Sequence, residues 1–334
     1  MVIAYILASA LAFLLARYGT PIARSAALRF GVVDQPDGNL KNHAEPVPYF
    51  GGLAIYLAVL IPLCLFYEFD ARILSILLAG TLVLLLGLID DFGVLTPGAK
   101  FVGQIIAAIV LVKGDVIMRV ETFPLWLNLT MTMLWLVGMT NALNIIDIMD
   151  GLAAGIALIG SLVLFVVALI NHDTMIAIFT ATLAGGLIGF LPYNFRPARI
   201  YMGDTGSMFL GLTLGTLAII GDYSDRNRLA FLNPLLIFGV AIFDTIYVMI
   251  LRVLQGRTPF LGSRDHFAVR LKLIGWPVDR IVLGSYLMAI VLGGAALLNI
   301  YLPVERSIAL YGVVLIGFVI LGWRLSKIQI THGN

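Results

Sequence analysis

Long apolar runs, separated by short polar segments, dominate the chain. Each run is close to the roughly 20 residues that an α-helix needs to cross about 30 Å of hydrocarbon. Helices are the expected form, because a helix pairs its backbone polar groups internally where lipid offers no partner. The pattern predicts eleven membrane-spanning helices, at residues 2–22, 47–67, 73–90, 100–118, 125–142, 151–170, 174–192, 205–221, 229–252, 281–302 and 307–324.

Composition supports this class of protein. Hydrophobic residues make up 60% of the chain and charged residues 12%, whereas soluble domains carry roughly 25% charged residues. The sequence therefore predicts an all-α integral membrane protein, with residues 1–334 forming a single polytopic domain in the lipid bilayer. A net charge of +2 implies no strong attraction to nucleic acid. Cys64 is the single cysteine, so no intrachain disulfide forms.

Lysine and arginine set the orientation. The loops after the odd-numbered spans, their helix ends and the C-terminal tail hold 15 of the 21 such residues, which predicts that this side is cytoplasmic. Eleven spans then place the N-terminus outside and the C-terminus in the cytoplasm. The same side carries the polar motifs, in predicted catalytic loops near residues 23–46, 90–100, 141–151, 193–205 and 253–280.

The first motif is the pair Asp90-Asp91 in GLIDDFGVLTPGAK, where the third span ends. Adjacent carboxylates repel each other, so they indicate a nearby cation, as in a metal or base site. The alternative is a solvated helix end.

The second motif is NALNIIDIMDGLAAG, between the fifth and sixth spans. Asn144, Asp147 and Asp150 follow one another at three-residue steps, so adjacent pairs would meet on a helix. A polar turn between two helices is the alternative, but it does not require two asparagines and two aspartates in ten residues.

The third motif is NFRPARIYMGDTGSMFLG, in which Arg196 and Arg199 precede Asp204. Gly203 and Gly206 allow close backbone approach, and the start of the following helix offers free N–H groups to an anion. Magnesium is commonly held by one or two carboxylates together with substrate phosphates, so this aspartate suits it. The alternative is a simple helix N-cap.

Two further loops are rich in cations. SRDHFAVRLKL contains Arg264 and His266, and this histidine is a candidate hydrogen-bond donor to a phosphate. DQPDGNLKNHAEPVPYFGG contains Lys41 and His43, which could contact phosphate. The alternative for His266 is an incidental histidine in a basic loop. The alternative for Lys41 is a basic flank of the kind typical of the cytoplasmic side. Asp244 is separate, because it lies within the ninth span and is costly there unless it faces the interior; it has either a structural or a supporting role.

Carboxylates, cations and glycine-bounded turns at one membrane face suit chemistry on two phosphorylated reactants, whose charge must be neutralised and aligned. The location implies that one reactant is a lipid phosphate and the other is soluble. A transporter or flippase for a lipid-linked or anionic substrate is the main alternative, although its sites would lie near the bilayer midplane.

Together, GLIDDFG, NALNIIDIMDGLAAG, the MGDTGS turn and the Lys-x-His…Pro-x-x-Gly-Gly loop resemble the polyprenyl-phosphate N-acetylhexosamine-1-phosphate transferase family. The resemblance implies transfer of N-acetylhexosamine-1-phosphate, such as GlcNAc-1-phosphate, from a UDP-sugar to polyprenyl (undecaprenyl) phosphate with release of UMP. It also implies Mg²⁺, with Mn²⁺ as an alternative ion, an active site at the cytoplasmic membrane and a first membrane step of cell-envelope glycan synthesis. A homodimer is a further hypothesis.

The resemblance also implies residue roles, and the catalytic set is Asp90, Asp91, Asp147, Asp150 and His266. The metal ligands are Asp204 and Asp91. The substrate-binding residues are Lys41, His43, Lys100, Asn144, Tyr201 and Arg264, with Tyr201 stacking on uracil. The family usually has clustered histidines where this chain has only His266, which favours a simple N-acetylhexosamine over a muramoyl-pentapeptide donor. Direct attack by the lipid phosphate and a covalent aspartyl intermediate are both open.

Overall fold

The computed structural model describes residues 1–34, 46–221, 227–258 and 265–328. The chain divides into two compact units, residues 1–221 and 222–334. The first unit contains α1 (Val2–Phe30), β1 (Val33–Asp34), β2 (Val47–Pro48), α2 (Gly51–Phe66), α3 (Ala71–Asp91), α4 (Pro97–Lys113), α5 (Leu125–Ile145), α6 (Leu152–Ile170), α7 (Thr174–Asn194) and α8 (Gly203–Ile220).

The second unit is also helical. A one-turn 3₁₀ helix at Ala230–Leu232 precedes the first of its α-helices. These are α9 (Asn233–Ile237), α10 (Gly239–Leu254), α11 (Phe267–Leu273), α12 (Val278–Asn299) and α13 (Val304–Ser326). The only sheet in the described residues is the antiparallel pair β1–β2. The predicted all-α class is therefore confirmed.

Seven of these helices are long and apolar enough to cross a membrane, namely α1, α3, α6, α7, α8, α12 and α13. The segments Ala230–Ile237 and Gly239–Leu254 pass the same test together, with a bend of 74° between them, which would make eight spans. A shorter apolar helix, α2, has 16 residues. The protein is thus a multi-pass membrane protein, while eleven spans, their orientation and a single domain remain predictions.

The core of the first unit is built on α7 and α8, in each of which 83% of the most apolar stretch is buried. Helix α8 packs against α3 and α5, and α7 packs against α1 and α6. In lipid, no hydrophobic driving force holds helices together, so close packing has to stabilise their association. Small residues in these helices allow the backbones to approach closely. A Cβ atom on Gly185 of α7, for example, would lie 2.1 Å from the carbonyl oxygen of Ser9 in α1.

Side chains fix several helix starts. The carboxylates of Asp70 and Asp173 accept hydrogen bonds from the backbone N–H groups of Ile73 (2.8 Å) and Ile176 (2.9 Å), at the beginnings of α3 and α7. These bonds satisfy N–H groups that a helix leaves unpaired in its first turn.

Candidate active site

Polar residues from four helix ends meet around the ammonium group of Lys100, at the start of α4. Its Nζ atom donates to Oδ2 of Asp90 at 2.8 Å and to Oδ1 of Asn144 at 3.2 Å. It also contacts Oδ2 of Asp204. The ends of α3 and α5 and the start of α8 supply these three acceptor oxygens. The structure therefore brings together residues of three motifs that lie far apart in the sequence.

Asn144 connects Asp204 to the interior of α8. Its amide nitrogen donates to Oδ1 of Asp204 at 2.8 Å and to Oγ of Ser207 at 2.9 Å. Both carboxylate oxygens of Asp204 are thus engaged, yet 30% of its side chain is exposed, compared with 17% for Lys100. The cluster is held by hydrogen bonds and is still partly exposed.

A second pair of polar residues supports this junction one helical turn further along α4. Gln104 is buried, and its Oε1 accepts a hydrogen bond from Nδ2 of Asn141 at 2.7 Å. Gln104 follows Lys100 by four residues, so the two lie on one face of α4. Asn141 precedes Asn144 by three residues, so these two lie on one face of α5. No role was predicted for this pair from the sequence, although its helical spacing is a usable signal.

Asp91 has a different environment from its neighbour Asp90. Its carboxylate accepts hydrogen bonds from the backbone N–H of Asp204 (2.8 Å), the backbone N–H of Thr205 (3.1 Å) and Oγ1 of Thr205 (2.6 Å). It therefore caps the start of α8 from another helix. A carboxylate has about four acceptor positions, so three of the four are used here.

Glycines let α2 and α3 reach the backbone that carries Asp204. A Cβ atom on Gly87 would lie 2.4 Å from the carbonyl oxygen of Asp204, and one on Gly52 would lie 2.2 Å from the backbone nitrogen of Gly206. Gly203 has a φ of +68°, which other residues rarely adopt. The position of Asp204 is thus fixed by backbone packing as well as by side chains.

Asp147 and Asp150 lie in the turn between α5 and α6. The carboxylate of Asp150 accepts a hydrogen bond from the backbone N–H of Ala198 at 3.0 Å, which joins this turn to the segment after α7. Burial, and then the charges of Asp204, Asp91 and Asp150, raise the pKa of Asp147 well above its usual value. The site is therefore rich in negative charge and is suited to a cation.

Tyr201 lies beside this acidic turn. Its backbone N–H donates to the carbonyl of Pro48 (2.9 Å), and its carbonyl accepts from Gly51 (3.0 Å). Its ring is 6.1 Å from that of Tyr49, whose hydroxyl donates to Asp34 at 2.7 Å. Burial raises the pKa of both tyrosines above their usual value. Tyr49 and Asp34 were not predicted from the sequence, and the β1–β2 pairing brings them here.

The remaining predicted residues lie elsewhere in the chain. His266 belongs to the second unit, where its Nδ1 atom is 2.7 Å from Oδ2 of Asp244. Lys41, His43 and Arg264 lie outside the residues that the structure describes.

A groove of about 510 Å³ borders the segment after α7. Apolar side chains and two arginines line it, namely Leu158, Ile188, Leu191, Pro192, Phe195, Arg196, Pro197 and Arg199. Both arginines are exposed, and no described carboxylate pairs with either of them. Ala198, bound by Asp150, lies between them, so the basic end of the groove adjoins the acidic turn.

The described residues contain no group of three or more His, Cys, Asp or Glu side chains that could hold a metal ion. However, the oxygens of Asp90, Asn144 and Asp204 gather around one cationic atom, Nζ of Lys100. Carboxylate and amide oxygens are the donors that Mg²⁺ prefers, and it often takes only one or two carboxylates from the protein. This donor set therefore fits magnesium.

Fold and site together define a multi-pass α-helical membrane protein with a cluster of polar residues at its helix ends. The family model described as glycosyl transferase family 4 matches residues 73–222, which include most of α3, all of α4 to α8 and every residue of the Lys100 cluster. The chain belongs to this family, as its similarity to curated relatives also shows.

Three relatives illustrate the range of the family. A probable undecaprenyl-phosphate N-acetylglucosaminyl 1-phosphate transferase of Bacillus subtilis is 34% identical, covering 83% of this chain and 80% of that protein. A decaprenyl-phosphate N-acetylglucosaminephosphotransferase of Mycolicibacterium smegmatis is 32% identical (91% and 84%). A phospho-N-acetylmuramoyl-pentapeptide-transferase of Heliobacterium modesticaldum is 34% identical (84% and 92%).

Proposed function

We propose that this protein transfers N-acetylhexosamine-1-phosphate, with N-acetylglucosamine as the sugar, from a UDP-sugar to a polyprenyl phosphate. The observation that carries the proposal is the convergence of Asp90, Asn144 and Asp204 on Lys100. Anionic and cationic groups meet there at membrane helix ends, where a lipid phosphate and a soluble nucleotide can both arrive. The names of the relatives support the same reaction class.

In the proposed reaction, an oxygen of the lipid phosphate attacks the β-phosphorus of the UDP-sugar. The bond from that phosphorus to the bridging oxygen breaks, and UMP leaves with the bond's electrons. Charge neutralisation and in-line positioning provide most of the catalysis in such transfers. The cation of Lys100 would contact phosphate oxygens. Whichever of Asp90 and Asp91 does not hold the metal would accept the proton of a protonated lipid phosphate. An initial attack by an aspartate is the alternative route.

Magnesium would be held by Asp204 with Asp90 or Asp91 as a second ligand. Asp90 has the greater free capacity, because Asp91 already accepts three hydrogen bonds at the start of α8. When bound, the ion neutralises charge on the phosphates; Mn²⁺ is the alternative ion. Asn144 hydrogen-bonds both Asp204 and Lys100, so it fixes the position of the metal-binding carboxylate relative to the ammonium group.

The nucleotide would bind near the acidic turn, where Tyr201 would stack its ring on uracil and Asp147 and Asp150 would form the nucleotide-binding and metal-proximal group. Lys41, His43, Arg264 and His266 would contact phosphates or sugar. His266 is the one histidine of its loop, and this supports a simple N-acetylhexosamine rather than a muramoyl-pentapeptide donor.

The acceptor lipid would use the groove between α6 and α7. Its volume lies in the range of ordinary ligand sites, and its apolar wall suits an isoprenoid chain. Arg196 and Arg199 would bind the phosphate of that lipid, since guanidinium groups match phosphate oxygens.

The remaining parts of the proposal concern placement. The protein would act in the cytoplasmic membrane, with eleven spans, the N-terminus outside and the loops of the site in the cytoplasm. It would perform the first membrane step of a cell-envelope glycan, as a single domain and with a homodimer as one assembly.

The test uses purified protein in lipid nanodiscs with radiolabelled UDP-N-acetylglucosamine, undecaprenyl phosphate and Mg²⁺. We expect labelled lipid and an equal amount of UMP, and we expect EDTA to stop both. A panel of UDP-sugars identifies the donor. The proposal is wrong if no UDP-sugar yields a labelled lipid, or if labelled substrate only crosses the membrane unchanged, which would indicate a transporter.

A further inference from the structure

A carboxylate buried within a predicted span holds the beginning of α11. Asp244 of α10 has no exposed surface, and its Oδ2 atom is 2.7 Å from Nδ1 of His266. Its Oδ1 atom accepts a hydrogen bond from the backbone N–H of Phe267 at 2.9 Å. One side chain therefore fixes both the imidazole of His266 and the first N–H of the helix that follows it.

A second set of contacts fixes the backbone of the same segment. Arg270 is buried, and its guanidinium pairs with Oδ1 of Asp265 at 3.0 Å. It also donates to the carbonyls of Leu325 (3.3 Å) and Ile328 (2.5 Å), where α13 ends. Because Arg270 anchors the helix independently, the contact with Asp244 is not needed merely to keep α11 in place.

The imidazole has one free position. Asp244 uses Nδ1, and Nε2 of His266 has no hydrogen-bond partner among the described residues. The side chain of His266 is 8% exposed. An imidazole that is held through one nitrogen by a carboxylate, with its other nitrogen unpaired, is the usual arrangement of a histidine that acts on a ligand.

We infer that Asp244 is a positioning residue, which orients the imidazole of His266 so that Nε2 points to a phosphate of the substrate. This inference rests on the proposed function, in which His266 contacts the donor diphosphate. When Nε2–H donates to a phosphate oxygen, the ring carries protons on both nitrogens, and the carboxylate of Asp244 balances its charge. An intramembrane carboxylate is costly to bury, and this pairing gives it a role.

The competing interpretation is structural, with Asp244 acting only to join α10 to α11. A double-mutant cycle separates the two, because residues that act as a unit have non-additive effects. We expect Asp244→Asn to lower kcat about 100-fold, with little change in the KM for polyprenyl phosphate. We expect the same substitution to have almost no further effect in a His266→Gln background.

Thr245→Val is the matched control, since Thr245 is the next residue on α10 and its hydroxyl bonds only the carbonyl of Ala241. It should retain wild-type turnover. The inference is wrong if the losses from Asp244→Asn and His266→Gln multiply, or if Asp244→Asn lowers the unfolding midpoint and leaves kcat unchanged in the folded fraction.

A measurement without turnover keeps this test separate from that of the proposed function. In full-length protein with ¹⁵N-labelled histidine, Asp244→Asn should shift the ring nitrogen resonances of His266, and Thr245→Val should not. Unchanged resonances would overturn the inference even in an active enzyme. A wild-type protein with no activity on any UDP-sugar would instead refute the proposed function, while the expected shift would still show that Asp244 orients the ring.

Discussion

The carboxylate of Asp91 accepts a hydrogen bond from the backbone N–H of Asp204 at 2.8 Å, so one acidic residue fixes the helix start that carries another. Its neighbour Asp90 instead accepts from Lys100. Adjacent residues on an α-helix point about 100° apart, and this separation gives the two carboxylates different tasks. Asp91 positions the start of α8, whereas Asp90 faces the cluster around Lys100.

Substitutions at Asp91 and Asp204 should therefore have different effects. We expect Asp91→Ala to lower the free energy of unfolding by about 1–2 kcal/mol, the range for loss of a helix cap, and to lower turnover as α8 shifts. We expect Asp204→Asn to abolish turnover with an unchanged unfolding midpoint. Thermal unfolding in detergent and the UMP-release assay measure the two quantities.

Asp173→Ala is the control for losing a helix cap without disturbing the site. The carboxylate of Asp173 accepts a hydrogen bond from the backbone N–H of Ile176 at 2.9 Å at the start of α7, and it lies outside the Lys100 cluster. It should lower the unfolding midpoint and retain turnover. Substantial activity in folded Asp204→Asn protein would remove Asp204 from the proposed metal site.

Lys100 should compete with a metal ion for the same oxygens while remaining necessary for turnover. In Lys100→Gln, the repulsion between the ammonium group and a divalent cation is removed, so we expect Mn²⁺ to bind at least as tightly as in the wild type. Turnover should fall by roughly 100-fold, as expected when an electrostatic contact to the transition state is lost. Electron paramagnetic resonance measures the Mn²⁺ affinity, and UMP release measures turnover. Weaker Mn²⁺ binding in Lys100→Gln than in the wild type would contradict the prediction.

Gly87 offers a test of the backbone packing. A Cβ atom there would lie 2.4 Å from the carbonyl oxygen of Asp204, so Gly87→Ala should displace the start of α8, lower turnover and lower the unfolding midpoint. Gly98→Ala is the matched control, because nothing lies within 4 Å of a Cβ atom at Gly98. Equal behaviour of the two variants would mean that α8 accommodates the methyl group.

Much of this architecture could be predicted from the sequence, because apolar runs of membrane length have few alternatives to helix. The motifs of Asp90, Asn144 and Asp204 were correctly expected at helix ends. Lys100 was predicted to bind substrate, but the sequence could not show that its ammonium group directly contacts Asp90, Asn144 and Asp204. Lys100 precedes Asp204 by 104 residues, and only tertiary packing joins them.

The hydrogen-bond partners of individual carboxylates could not be predicted from the sequence either. A pair such as Asp90-Asp91 does not reveal which carboxylate faces which neighbouring helix. Asp244 was recognised as costly within its span, but its partner His266 is 22 residues away and outside that helix. Such contacts depend on how helices pack, which a hydropathy pattern does not specify.

Arg196 should affect the lipid substrate selectively. We expect Arg196→Gln to raise the KM for polyprenyl phosphate about tenfold, equivalent to about 1.4 kcal/mol, while the KM for the UDP-sugar stays the same. Arg119→Gln is the control, because Arg119 forms an exposed pair with Asp115, and such pairs contribute little. An equal change in both KM values would argue against the groove as the acceptor site.

The proposed orientation requires that the two ends of α3 lie on opposite faces of the membrane. In a Cys64→Ser background, which removes the only native cysteine, single cysteines can replace Val94, after α3, or Phe69, before it; both are exposed. A membrane-impermeant maleimide should label Phe69→Cys in right-side-out vesicles and Val94→Cys only in inverted ones. His172→Cys, in the loop between α6 and α7, should behave like Phe69→Cys. If Val94→Cys instead reacts from the outside, the Lys100 cluster would face away from a cytoplasmic nucleotide, and the proposed donor could not reach it.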